Sequence, residues 1–362
     1  MYNIGILGGT GEIGKRIVAL CGEEYNVRAS YHSRKPENIV SSVEYLPVDL
    51  NDSSQLRSFM QGCDIVINCA GSSFMTGEKA AIAAAETGAA YIDPFGAGFL
   101  AEKLAPYADK NKFVLMSGCF PGMTGIMAEY LCRGFSKVET INGINIDHQV
   151  PSLYGTVDFI LSGIRGFGEA SMFYSAGSKI RDNSETVFTD HSGNRVNAQY
   201  YYNTELDDIV RKYVPDRAAW YAPVLSGELI GIMQKAVFAC LASGDDNAVI
   251  EHAKNIKQAV KSAGASGDCE IQITVDGTVN SQKLERKLTL FSPKGSSDIS
   301  AAILFASAEA ILSGEYGNGI YYAYQVADPD HAMELCRRSG MELFFAENAA
   351  VVGDDDYDEG FI

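Results

Sequence analysis

The chain reads as an α/β protein: an N-terminal doubly wound parallel sheet, followed by a second α+β domain built on an antiparallel sheet. Three observations predict this. A short apolar strand at the N-terminus runs into a glycine-rich turn and then a helix. Strand and helix patterns alternate from there to about residue 137. Beyond that point the apolar residues alternate with period two in several stretches, separated by long helices.

The first element is the apolar run Tyr2 to Leu7. Gly8, Gly9, Gly11 and Gly14 follow directly, and Ile17-Val18-Ala19-Leu20 continues as a helix. Strand, glycine turn and helix form a dinucleotide site: glycine lets backbone approach a pyrophosphate, and the helix N-terminus presents N–H groups and a positive dipole end. The residues expected at the phosphates are Gly8, Gly9, Thr10, Gly11, Glu12, Ile13 and Gly14. The second strand, Asn26 to Tyr31, is followed by His32-Ser33-Arg34-Lys35. An NAD site usually carries Asp or Glu there for the ribose 2′-hydroxyl. Ser33, Arg34 and Lys35 suit a 2′-phosphate instead, so the expected cofactor is NADPH.

The third strand, Val43 to Val48, leads to Asp49-Leu50, where the carboxylate suits an adenine amino group. Ser53 to Met60 reads as a helix. The fourth strand, 64–68, ends in Cys69-Ala70-Gly71, small residues that can pass close to the nicotinamide ribose. Glu78 to Thr87 is an Ala-rich helix stopped by Gly88. The fifth strand, Ala90 to Asp93, leads to Phe95-Gly96, and the sixth, Phe113 to Met116, leads to Gly118-Cys119-Phe120-Pro121-Gly122. Phe95 and Gly96 are expected to border the nicotinamide. Together these elements make residues 1–137 a Rossmann-type domain.

Residues 138–316 read as the second domain, for substrate binding and dimerisation. Val138 to Asp147 is an alternating strand, and residues 153–202 show no clean helical period. Leu229 to Ala242, Ala248 to Ala263 and Ser300 to Ser313 are helices, the last expected to cover one face of the sheet. Cys269 to Val275 and Gln282 to Leu290 are strands around Asp276-Gly277, a hairpin signal. Residues 317–362 contain a helix after Asp328-Pro329-Asp330, expected to return to the first domain, and the acidic run 354–359, expected as a solvated tail.

Composition excludes several partners. The formal net charge is −17 over 362 residues, which argues against nucleic acid and anionic membrane surfaces. None of the eight cysteines forms a C-x-x-C pair or has a His at zinc-ligand spacing, so reduced thiols and no metal are expected. The N-terminus lacks signal-peptide character, and no apolar run approaches the roughly 18 residues of a membrane span. A cytoplasmic homodimer is expected.

Four stretches carry a family resemblance: GGTGEIG at 8–14, DIVINCAG at 64–71, GAAYIDPFG at 88–96 and GCFPGMTGIMAEYL at 118–131. With these the chain resembles the saccharopine dehydrogenase-like reductases. The resemblance implies an NAD(P)-dependent oxidoreductase that moves hydride to or from a carbon–nitrogen bond. Substrates of the saccharopine type carry several carboxylates. The middle segment offers few cations to match them, Arg165, Lys179, Arg181 and Arg195, and many aromatics, including Phe159, Phe167, Phe173, Tyr174 and Tyr200 to Tyr202. That composition suits an uncharged or aromatic imine, free or held on a carrier protein, such as a thiazoline reduced during nonribosomal siderophore or peptide assembly. The alternatives are a saccharopine-type amino-acid or polyamine dehydrogenase and a non-catalytic NADP(H)-sensing regulator. Protonating the imine nitrogen needs an acid. His148, at the end of the first strand of the second domain, and Tyr154, in a loop made pliable by Gly155, are the candidates.

Overall fold

The first sheet is built where short β-branched runs alternate with helices. The computed structural model describes residues 1–33, 35–36 and 39–349. Arg34 and the acidic run 354–359 therefore lie outside the described residues. The first half contains β1 (Asn3–Leu7), α1 (Glu12–Glu24), β2 (Asn26–Tyr31), β3 (Val43–Pro47), α2 (Ser53–Met60), β4 (Ile65–Asn68), α3 (Glu78–Thr87), β5 (Ala90–Ile92), α4 (Ala97–Leu104), β6 (Lys112–Leu115) and α5 (Met123–Cys132). The second half contains β7 (Lys137–Asp147), α6 (Leu153–Ile164), β8 (Gly168–Ala170), β9 (Met172–Ser175), β10 (Ser178–Arg181), β11 (Glu185–Thr189), β12 (Arg195–Asn203), α7 (Thr204–Tyr213), β13 (Arg217–Pro223), α8 (Gly227–Ser243), α9 (Ile250–Ser262), β14 (Cys269–Val279), β15 (Gln282–Ser292) and α10 (Ser296–Leu312). The chain closes with β16 (Gly319–Tyr322), α11 (Ala323–Val326), α12 (Pro329–Arg338) and β17 (Glu342–Ala349).

The first sheet has the order β16-β6-β5-β4-β1-β2-β3, with every pair parallel. The strand order reverses between β1 and β4, so the turns after these two strands face one crevice. The expected doubly wound parallel sheet is thus present. Burial explains it: β4 is buried along its whole length and β1 over its last four residues, as parallel strands covered on both faces must be.

The second sheet runs β10-β9-β13-β7-β14-β15-β17, with β12 joining β13 to β11 and β8. It is mixed rather than purely antiparallel, because β13 lies parallel to β7. Residues 153–202 also differ from expectation. Their first part is α6, capped by Ser152 Oγ accepting from Gly155 N–H, and the rest forms five strands. The helical period is present there, with Leu153, Val157, Ile160, Leu161 and Ile164 on one face. The hairpin turns at Asn280-Ser281, not at Asp276-Gly277. Both turn residues have positive φ, +49° and +68°, as a two-residue hairpin turn of the favoured twist requires. Asp276-Gly277 lies inside β14, at a register shift against β7.

A single buried cluster joins the two sheets. It runs from Ile4 and Ile6 through Met123 and Ile126 of α5 and Ile299 and Ile303 of α10 to Ile271 and Ile273 of β14. The α10 helix, expected on one face of the second sheet, packs instead against α1 and β5 as well as β15. The C-terminal segment serves both sheets, β16 pairing with β6 and β17 with β15. Among the described residues no helix is long and apolar enough to cross a membrane.

Candidate cofactor and active site

The glycine turn is shaped by close backbone contacts. Gly8 has φ +73°, and a Cβ there would stand 2.6 Å from the Cys69 carbonyl oxygen. A Cβ on Gly14 would fall 2.0 Å from the Gly8 carbonyl oxygen, so that residue lets α1 start against the strand. Gly11 differs: its nearest neighbour would be 3.3 Å away, and its Cβ direction is comparatively open. Ser30, at the end of β2, ties the turn down. Its Oγ accepts from Gly8 N–H at 2.9 Å and its carbonyl from Gly9 N–H at 2.8 Å. Gly11 is the N-cap of α1, and no side-chain acceptor caps the N–H groups of the first turn there. Thr10, Glu12 and Ile13 complete this turn, with Glu12 paired to Lys15 and Arg16. A glycine-lined helix N-terminus whose N–H groups carry no side-chain cap, at the crevice, fits a pyrophosphate.

Around this turn the fold assembles other residues expected from the sequence. Cys69 and Ala70 stand against Gly8. Ala70 N–H donates to Asn68 Oδ1 at 3.2 Å, and Gly71 has φ +72°. The Leu50 side chain lies against Gly71, whereas Asp49 Oδ1 is engaged by Asn51 N–H at 2.9 Å. Phe95 and Gly96, with φ +62° at Gly96, follow β5 on the same edge of the sheet. Ser33 and Lys35 are exposed beyond β2.

Aromatic side chains line the edge next to the second domain. Phe74 stacks on Phe99 with centroids 3.8 Å apart, and Phe95 meets Phe74, Phe99 and the buried Phe167. Phe120 approaches Tyr201 at 5.9 Å.

Three carboxylates missed from the sequence hold this edge together. Asp93, fully buried after β5, accepts from Tyr91 OH at 2.7 Å, Asn68 Nδ2 at 3.0 Å, Phe95 N–H at 2.9 Å and Ser73 Oγ at 2.6 Å. Asp158 of α6 accepts from Ser72 Oγ, from Ser73 N–H at 3.1 Å and from Phe74 N–H at 3.4 Å. Burial pushes its carboxyl up to about 7 against these bonds. Glu205 of α7, also fully buried, accepts from Gly122 N–H at 2.7 Å, Gly125 N–H at 3.1 Å and Thr124 Oγ at 2.5 Å. Burial pushes it up to about 7 as well. Asp158 and Glu205 thus cap the chain segments that follow β4 and β6. One signal for Asp158 stood in the sequence, a lone carboxylate in the apolar run 153–164. Glu205 looks like an ordinary acid in a helix first turn.

The two proton-donor candidates occupy different surroundings. His148 Nδ1 lies 3.2 Å from Asp268 Oδ1, and its backbone N–H donates to the Asp268 carbonyl. Tyr154 is in the first turn of α6 rather than in a loop, 42% exposed and one turn before Asp158 on the same helix. Cys119 is buried, its Sγ 3.8 Å from Cys269 Sγ. Among the described residues, no group of three or more His, Cys, Asp or Glu could hold a metal ion. A cavity of about 480 Å³ lined by Glu129, Arg133, Glu309, Tyr324 and His331 shares no residue with the glycine turn.

Residues 4–116 match the family model of the saccharopine dehydrogenase NADP binding domain, which makes NADP(H) the cofactor of the first sheet. In fold the chain is similar to apo saccharopine dehydrogenase (L-Glu forming) from Saccharomyces cerevisiae: 12% identity, TM-score 0.67, covering 96% of this chain and 100% of that one. Shorter similarities include a uronate dehydrogenase from Agrobacterium tumefaciens (17% identity, TM-score 0.24, 26% of this chain and 40% of that one). Another is a Rossmann-fold NAD(P)-binding family protein from Shigella flexneri (18% identity, TM-score 0.25, 32% and 66%). No curated protein matches the chain in sequence.

Proposed function

We propose that this NADP-binding, saccharopine dehydrogenase-like protein is an oxidoreductase that reduces a C=N bond with NADPH. Its substrate is an uncharged, planar imine, best a thiazoline ring taken to thiazolidine in nonribosomal siderophore or peptide assembly. The observation that carries the reading is the aromatic wall Phe74, Phe95, Phe99 and Phe167 at the carboxyl edge. Two of the four cations of this segment are engaged, Arg165 with Asp246 and Lys179 with Glu169, while Arg181 and Arg195 are exposed and make no ion pair among the described residues. A polycarboxylate substrate would need such cations free.

Bound NADPH supplies the hydride, and the protein orients it and the imine and excludes water. The Phe side chains hold the ring flat, and the proton for nitrogen comes from the Tyr154 hydroxyl, with His148, already bonded to Asp268, as the second donor. NADPH consumption should be followed with cyclic imines and thiazolines, and with saccharopine-type amino acids for comparison. Turnover of the imines is expected, with Tyr154→Phe lowering kcat by about 10²–10⁴-fold at unchanged NADPH affinity. Turnover confined to the amino acids would establish a saccharopine-type dehydrogenase. Tight NADPH binding with no turnover of any substrate would make the protein a sensor.

A further inference from the structure

We propose that Asp158 is a positioning residue for NADPH: from the second domain it holds the turn after β4 in the shape that lets Cys69–Gly71 lie along the cofactor. The proposal rests on the reading of Cys69–Gly71 as part of the cofactor site.

The argument is a continuous chain of hydrogen bonds. Asp158 takes the Ser72 hydroxyl and the Ser73 and Phe74 amides. Ser73 Oγ in turn donates to Asp93 at 2.6 Å. Asp93 accepts from Asn68 Nδ2 at 3.0 Å, and Asn68 Oδ1 accepts from Ala70 N–H at 3.2 Å. Two adjacent serines therefore bridge one carboxylate from each half of the molecule, and the far end of the bridge is an amide of the small-residue turn. Asn68, Ser72 and Ser73 are buried, and Ala70 and Phe74 half-buried, so an unpaired partner in the chain is costly.

The seating of α6 has apolar support besides this carboxylate. Val157, Ile160 and Leu161 of the same helix pack with Phe74, Met75 and residues of α8 and α9 in an apolar cluster. What Asp158 adds is the conformation of residues 72–74, and through Asp93 that of 68–71. The contact between the two halves and the shape of the cofactor turn are thereby coupled.

The test is NADPH affinity of the 362-residue chain, with the fluorescence of Trp220, its single tryptophan, reporting the fold. Asp158→Ala should weaken NADPH by about tenfold or more. Asp158→Asn, which keeps one of the two oxygens that the Ser73 and Phe74 amides use, should fall between it and wild type. Ser72→Ala should weaken binding less, and the double Asp158→Ala/Ser72→Ala variant should bind no worse than Asp158→Ala alone. Wild-type affinity in Asp158→Ala, or in both Asp158→Asn and Ser72→Ala should Asp158→Ala not fold, would overturn the proposal. So would multiplicative effects in the double variant. Gly11→Ala serves as the independent control: if it also binds NADPH normally, the reading of the cofactor site has failed rather than the role of Asp158.

Discussion

Glu205 is the residue on which the joint between the two halves turns. It reaches from α7 to cap α5 just after the loop Gly118–Gly122, and it is 0% exposed. Its carboxyl is raised from an ordinary value of 4.5 to about 7 because burial disfavours the charge more than three donors favour it. A carboxyl raised on folding contributes stability fully below its unfolded value and loses it as pH rises through the folded one. Wild-type stability should therefore decline from about pH 4.5 to about pH 7 by up to about 3 kcal/mol from this group. Glu205→Gln should remove that decline, since an amide still accepts from the two N–H groups and its NH₂ can donate to Thr124. Urea denaturation of both proteins at pH 5 and pH 8 measures the change. A pH-independent difference between them would mean that Glu205 does not titrate in this range.

At the scale of elements, α10 is the piece that couples the sheets. Twelve of its residues from Ser297 to Ile311 are buried, with apolar side chains on every face because α1 and β5 lie to one side and β15 to another. Such a helix shows no amphipathic stripe, as expected for an element packed all round. Ile303 is fully buried in the shared cluster. Ile303→Ala should cost about 2–5 kcal/mol by leaving a cavity that neither sheet can close. A loss under about 1 kcal/mol in urea denaturation would mean that the sheets collapse onto α10 freely, contrary to a core packed from two sides.

The whole molecule is interleaved. The chain leaves the first sheet at β6, builds the second, returns as β16 to the edge of the first, and then runs as β17 along the edge of the second. With the buried cluster continuous between them, neither sheet is complete without a strand supplied from beyond the other. Heating should give one cooperative transition, and the calorimetric enthalpy should equal the van't Hoff enthalpy. Two resolved transitions would show that the halves unfold independently. NADPH should raise the single midpoint as ligand mass action requires.

Some of this was legible in the residues alone, and the reason is locality. The glycine turn, its flanking strand and helix, and the alternation that makes the first sheet parallel depend on residues within a few positions of one another. The Gly88 stop of α3, with φ +81°, is of the same kind. The hairpin was legible too, but its turn was misplaced by four residues, since Asp276-Gly277 carries the usual turn chemistry and the register that selects Asn280-Ser281 is set by pairing with β7. What only the tertiary structure decided was long-range: the parallel pairing of β13 with β7, the return of β16, and the capping of two segments by Asp158 and Glu205. Those carboxylates act on amides 84 and 83 positions away in the chain. Hydrogen-bonding partners at that separation leave no period or spacing behind, because it is packing, not neighbouring sequence, that brings them within 3.5 Å.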